Sequence, residues 1–349
     1  MSRKYYLEDR ALDDAISRFE AALARVGGLR LPEAETLPLA AARERVTAAP
    51  VWAVRSAPHY HAAAMDGIAV RAGDTRGATE VAPRRLALGR EAVWVDTGDP
   101  MPADCDAVVM AEHVQSIDET TVEISAAVAP WQHVRPLGED IVATELVVPE
   151  GQRLRPVDLG AIAAAGHATV QVYRRPRVAI IPSGTELVTV EEVRAREERG
   201  APLRAGEIIE FNSLILAGLV EEWGGQAIRL PPVPDRRELL RAAVEAALAR
   251  ADVVVVNAGS SAGSEDYTAA VLGELGEVAV HGVAIRPGHP VILGVAAGKP
   301  ALGLPGYPVS AALTAELFLR PLVYRLQGQA PPARATAQAV ISRKLLSPL

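Results

Sequence analysis

The sequence predicts a multidomain α/β protein. Its parts are a three-layer α/β domain on a parallel-rich sheet and a β-rich lobe. Three observations carry this. The chain has 349 residues, more than one ordinary core serves. From Arg177 onward, strand-like and helix-like segments alternate, as in a parallel sheet covered by helices. Between residues 51 and 144 the apolar runs are short and separated by turns, which reads as β structure.

Taken in order, residues 12–26 carry Leu12, Ile16, Phe19, Leu23 and Val26 at three- to four-residue spacing, an amphipathic helix. Asp13, Asp14 and Glu20 on its other face argue against an anionic membrane surface. A second helical piece is expected over residues 39–46. Strands are expected at 51–54, 67–70, 92–95, 107–110 and 121–124, then a short helix at 156–165 and a strand at 168–172. The α/β pattern follows: strand 178–181, loop 182–187, helix 212–223, strand 226–230, helix 235–249. The charged run 191–200 reads as a solvated loop whose signs cancel.

The stretch from Asp252 to Thr314 organises the rest. Residues 251–257 form a strand apolar on both faces, as in sheets covered on both sides. A loop of Gly and Ser follows, and then a helical run to Leu275. Small residues between such a strand and a helix leave backbone N–H groups free to bind an anion. Asp266 stands where the helix begins and can cap it or hold a divalent cation. Two Pro/Gly turns come next, at 286–290 and 303–308. Ligands of open α/β sheets bind outside the carboxyl ends of strands; ordinary βα turns are the alternative reading.

Charge and composition exclude several classes. Asp and Glu (43) outnumber Lys and Arg (36), a net charge of −7, against non-specific nucleic-acid binding. The single cysteine, Cys105, allows no intrachain disulfide and no cysteine metal cluster, and reads as a small buried residue. His59 and His61 share a strand face, with no further zinc ligand nearby in the sequence. The N-terminal residues lack a signal-peptide core, and apolar stretches stop short of a membrane span. The expected location is cytoplasmic. No P-loop or Ser/His/Asp spacing is present.

Several motifs in combination resemble one family. The run from Ala258 to Tyr267 is similar to a Gly-Gly-x-Ser-x-Gly-x-x-Asp-Tyr loop. Arg286-Pro287-Gly288-His289-Pro290 resembles a Lys-Pro-Gly-Lys-Pro turn. Gly303-Leu304-Pro305-Gly306-Tyr307-Pro308-Val309-Ser310 resembles Gly-Leu-Pro-Gly-Asn-Pro-Val-Ser. Earlier, Ala63-Ala64-Met65-Asp66-Gly67-Ile68-Ala69 resembles Ser-Ala-Met-Asp-Gly-Tyr-Ala, Thr97-Gly98-Asp99-Pro100 resembles Thr-Gly-Ala-Pro, and residues 135–141 resemble Arg-x-x-Gly-Glu-Asp-Ile. These are motifs of the molybdopterin molybdotransferases (bacterial MoeA and the E domain of gephyrin), and the resemblance covers residues 5–330.

The resemblance implies a linking α+β domain of residues 1–50 with 145–175, a β-rich lobe at 51–144 and a molybdopterin-binding α/β domain at 176–330. Residues 331–349 would open a truncated C-terminal β domain, with a strand start at 339–342. It implies adenylylated molybdopterin and molybdate (or tungstate) as substrates, Mg²⁺ as cofactor and AMP as product. Implied partners are a second copy of the chain, molybdopterin adenylyltransferase and apo-molybdoenzymes.

The same resemblance assigns the roles. Gly259, Ser260, Ser261 and Gly263 would hold the pterin or its phosphate. Asp266 and Glu186, with Asp235, would support Mg²⁺ and the attacking water. Asp66 and Thr97 would come from the β-rich lobe, across a dimer interface. Pro305, Gly306 and Ser310 would shape the molybdate side. Arg135 with Glu139 and Asp140 reads either as a lining of the cleft or as a surface ion-pair cluster.

The chain departs from the family where lysines are usual, at Gly282, Arg286 and His289, and Tyr307 stands in place of Asn. Arg286 keeps a permanent charge and can clamp an oxyanion, and is expected to be its main cation. The competing expectation is a non-catalytic pterin-binding or scaffold protein of the same fold.

Overall fold

The computed structural model describes residues 9–257, 267–333 and 335–340. Contacts divide the chain into two units, Met1–Glu33 with Tyr173–Leu349, and Ala34–Val172.

The first unit is a sheet between two helical layers. Its strands are β1 (Arg177–Pro182), β2 (Gln226–Arg229), β3 (Val253–Asn257), β4 (Gly276–His281), β5 (Ile292–Ala296) and β6 (Lys299–Leu304), in the order β2-β1-β3-β6-β5-β4. The first four in that order are mutually parallel, with Val178 opposite Val253 and Val254 opposite Ala301. β5 pairs antiparallel with β6 and with β4, so the sheet is parallel-rich with an antiparallel edge.

Alternation along each strand sends neighbouring side chains to opposite faces. Val178, Ile180, Val253 and Val255 enter one core; Ala179, Ile181, Val254 and Val256 enter the other. The first core is closed by α1 (Leu12–Arg25), α3 (Asn212–Glu222) and α7 (Arg320–Arg325), through residues including Phe19, Leu216, Trp223 and Leu322. The second is closed by α4 (Arg237–Leu248) and α5 (Thr268–Leu275), through Leu240, Val244, Val271 and Leu272. Both faces of β3 are covered, which is why Val253–Asn257 is buried throughout.

Four local readings differ from the structure. α1 packs on the α/β sheet, whereas residues 34–50 pair with residues from 145 onward. The buried face of α1 is Ala15, Phe19, Ala22 and Leu23; Ile16 and Val26 are exposed. Alanines let the helix approach the sheet closely, so the stripe is rotated from the large apolar residues. The charged run holds α2 (Val190–Glu197). Thr189 Oγ1 accepts from the Glu192 N–H (3.2 Å), and the Glu192 carboxylate accepts from the Thr189 N–H (2.8 Å). This capping box, with Val193 buried, makes a helix of a polar segment. The piece at 39–46 is only a 3₁₀ turn, Leu39–Ala41, because Glu44 takes φ 62° and ends it. Residues 339–340, the described part of the expected last strand, are not in a strand.

In the second unit, Gly67–Val70 pairs antiparallel with Ala92–Val95 and with Ala107–Met110. A second group joins Arg84–Ala87, Thr121–Ile124 and Val114–Ser116. Ile68, Val70, Leu86, Val109 and Ile124 fill the core between them. A separate core holds Val51, Val148, Leu154, Val172 and Ile162, the last from the helix Pro156–Ala164. Residues 34–52 and 146–173 thus pair with each other and flank the inserted strands. No helix among the described residues is long and apolar enough to cross a membrane.

Candidate functional site

Backbone carbonyls in the turn after β6 need partners once the strand stops pairing. Two asparagines supply them. Asn257, the last residue of β3, is buried and donates from Nδ2 to the Pro305 carbonyl (2.9 Å). Asn212, the first residue of α3, donates from Nδ2 to the Gly306 carbonyl (2.7 Å). The Pro305-Gly306-Tyr307-Pro308 turn after β6 is thereby pinned from two sides.

Beside this turn lies a cavity of about 530 Å³, within the first unit. Its size suits a small-molecule ligand, and it sits outside the carboxyl ends of parallel strands, where such ligands bind. Glu186, Glu210, Asn212 and Asn257 supply its polar groups; Ile208, Phe211, Pro290, Pro305, Tyr307 and Pro308 supply apolar walls. Glu186 lies in the loop after β1. A Cβ on Gly184 would stand 2.7 Å from its Oε1, so the missing side chain at 184 makes room for this carboxylate. Glu210 is buried and accepts from Ser213, through N (2.7 Å) and Oγ (2.6 Å). Arg229 Nε donates to the same hydroxyl (2.8 Å), and its Nη2 lies 3.8 Å from Glu210.

Of the residues expected in this site, Glu186, Pro305 and Gly306 line the cavity. Gly259, Ser260, Ser261, Gly263 and Asp266 lie outside the described residues, in the segment after Asn257. Ser310 is buried in the first turn of α6 (Pro308–Thr314), and is not among the lining residues. Arg286 is exposed and is also not among them; its turn reaches the cavity through Pro290. His289 turns Nδ1 to the Val283 carbonyl (2.8 Å), so that nitrogen donates within its own loop, 3.5 Å from Asp9. Asp235 accepts from Ser183 Oγ (3.1 Å) and from the Thr185 N–H (3.2 Å), one bond on each oxygen, and braces two loops together. Among the described residues no three His, Cys, Asp or Glu side chains gather as a metal site.

Sequence reasoning missed Glu210, Asn212 and Asn257. Asn257 ends a run of four valines, and an amide there has no apolar reason to be buried. Glu210 stands three residues before Ser213 at a helix start, which reads as a cap until tertiary packing opens the cavity beside it.

The second unit brings together two residues 31 apart in the chain. Asp66 Oδ1 accepts from both the N–H and the hydroxyl of Thr97, each at 2.7 Å. The Thr97 hydroxyl, then its N–H, hold the Asp66 carboxyl below its ordinary pKa. The placement depends on Gly67, since a Cβ there would stand 2.0 Å from the Val109 carbonyl oxygen. Arg135 bonds Glu139 and Asp140, each at 2.8 Å, and the Glu139 bond is the larger cause of its raised pKa. These three form an exposed ion-pair cluster. Cys105 is half-buried, and burial raises its thiol pKa.

Comparisons with known proteins cover both units. Residues 10–166 match the family model described as the MoeA N-terminal region (domain I and II). Residues 179–325 match one described as a probable molybdopterin binding domain. The molybdopterin molybdenumtransferase of Haemophilus influenzae is 34% identical over 85% of this chain and 74% of its own length. Molybdopterin molybdenumtransferase 2 of Mycobacterium tuberculosis is 33% identical over 90% and 80%. A crystal structure of the molybdopterin biosynthesis MoeA protein from Pyrococcus horikoshii superimposes with a TM-score of 0.76 at 33% identity, covering 92% of this chain and 81% of that one.

Proposed function

Because this chain belongs to the MoeA family of molybdopterin molybdenumtransferases, enzymes of molybdenum cofactor biosynthesis, we propose that it inserts molybdate-derived molybdenum into adenylylated molybdopterin and releases AMP. The observation that carries this reading is the cavity at the strand ends, where Glu186 and Glu210 face a space sized for a small molecule. Hydrolysis of the adenylyl phosphoanhydride needs a group to orient water and take its proton. Glu186 is the open candidate, since both carboxylate oxygens of Glu210 already bond Ser213.

Mg²⁺ is usually bound by one or two carboxylates together with substrate phosphate oxygens. Glu186 and Asp266 would be such a pair; Asp235 is a weaker donor, since each of its oxygens already accepts a hydrogen bond. When bound, the ion would neutralise charge developing on the phosphates. The loop holding Gly259, Ser260, Ser261 and Gly263 would bind the phosphate, and Pro305, Gly306 and Ser310 would shape the oxyanion side. Arg286 would be the main cation for molybdate or tungstate.

The candidate residues fall in two separate regions, 66–140 and 186–310, and the proposal includes a homodimer in which the second unit of one copy would complete the site of the other. Light scattering checks the dimer. Cytoplasmic location, and molybdopterin adenylyltransferase and apo-molybdoenzymes as partners, belong to the same proposal.

The test is AMP release from adenylylated molybdopterin with Mg²⁺ and molybdate. Turnover is expected, and it is expected to be lost in a folded Asp266→Ala variant. A chain that binds the pterin without releasing AMP would establish the scaffold reading instead.

A further inference from the structure

We infer that Phe211 and Tyr307 form an aromatic clamp at the cavity for a planar heteroaromatic ring bearing N–H donors; this rests on the reading above and names the part of the ligand it grips. Both side chains line the cavity. Tyr307 is 82% exposed and Phe211 42%. Neither is engaged by another ring among the described residues, where the aromatic pairs are His59–Tyr60 and His61–Trp131. Two large rings held open to solvent on one concave surface offer faces for stacking.

Their positions are coupled. Phe211 is the chain neighbour of Asn212, and Tyr307 of Gly306. The 2.7 Å bond from Asn212 Nδ2 to the Gly306 carbonyl joins the two segments. One hydrogen bond therefore sets the spacing between the residues that carry the rings. Pro305 and Pro308 stiffen the turn on either side, so the backbone that carries Tyr307 has little freedom left to lose on binding.

The remaining lining selects the class of ring. The carboxylate of Glu186 shares the cavity with the aromatics. A carboxylate only accepts hydrogen bonds, so ring N–H and amino groups find a partner in this cavity. An amine-bearing purine and a pterin both have that chemistry.

Titration calorimetry with three probes tests the clamp: AMP, neopterin, and ribose 5-phosphate as a ringless control. For whichever ring-bearing probe binds the wild-type chain, Tyr307→Ala is expected to raise Kd about tenfold, the size of one aromatic–base stack. Tyr307→Phe keeps the ring and is expected to stay within about threefold. Asn212→Asp, which loses the donor to Gly306, is expected to weaken the same probe; ribose 5-phosphate is expected to be indifferent to Tyr307→Ala. The arm that responds identifies the ring as adenine or pterin.

Unchanged Kd for both ring-bearing probes in Tyr307→Ala, equal losses in Tyr307→Phe and Tyr307→Ala, or no binding of either ring-bearing probe to the wild-type chain would overturn the clamp. AMP release by the wild-type chain, assayed alongside, separates the two readings. Turnover with no ring dependence removes the clamp alone. Ring dependence without turnover removes the transferase reading and leaves the clamp.

Discussion

Glu210 is expected to hold the start of α3 through Ser213, and two substitutions measure how strongly. In Glu210→Ala the Ser213 N–H, now bonded at 2.7 Å in a residue 1% exposed, loses its acceptor. An orphaned buried donor costs about 1–3 kcal/mol. The Arg229 charge, 3.8 Å away on a side chain 42% exposed, adds only about 0–1 kcal/mol after screening. A loss of about 2–3 kcal/mol is therefore expected for Glu210→Ala. Glu210→Gln keeps a carbonyl oxygen for the Ser213 N–H and should cost about 1 kcal/mol. Urea unfolding followed through Trp223, buried at the end of the same helix, measures this for the first unit. Equal unfolding midpoints for Glu210→Ala and wild type would refute the account of Ser213.

Three further outcomes are expected. Thr97→Ala keeps the N–H but removes the hydroxyl from Asp66, so the Asp66 pKa should rise toward its ordinary value. A lowered carboxyl pKa contributes stability above the unfolded pKa and loses it as pH falls through the folded value, so the variant loses that contribution at a higher pH. A ¹³C titration of the Asp66 carboxyl reads the shift, and an unmoved pKa would contradict the geometry. Arg286→Ala should raise the molybdate concentration for half-maximal rate and leave pterin affinity nearly unchanged, with Arg286→Lys partly tolerated; an unchanged molybdate titration would mark Arg286 as an ordinary surface residue. Gly67→Ala sets a Cβ against the Val109 carbonyl oxygen and the Ala111 nitrogen, backbone atoms that cannot give way. It should destabilise the second unit by about 3 kcal/mol or more, seen as a lowered melting temperature; a melting temperature like that of wild type would exclude the clash.

The sequence by itself determined the layered α/β unit, the β-rich strands and the family. Each rests on local information: the apolar run before Asn257 can only be a strand buried on both faces, and turn motifs keep their spacing whatever packs around them. It also named Asp66 and Thr97, which the fold brings into direct contact, and Glu186, Pro305 and Gly306, which it gathers at one cavity. Tertiary structure decided what depends on distant neighbours. The N-terminal helix presents Ala15 and Ala22 to the sheet, because close approach of backbones favours small residues over large ones. Residues 191–197 are helical because the Thr189 and Glu192 side chains satisfy the first N–H groups. Asn212 and Asn257 join the site through bonds to Gly306 and Pro305, which the sequence places far away, and Glu210 joins it because packing opens the cavity beside its local bonds to Ser213. Asp235 spends its oxygens on loops some fifty residues away. A carboxylate's neighbours fix whether it braces, caps or reacts, and only the folded chain supplies them.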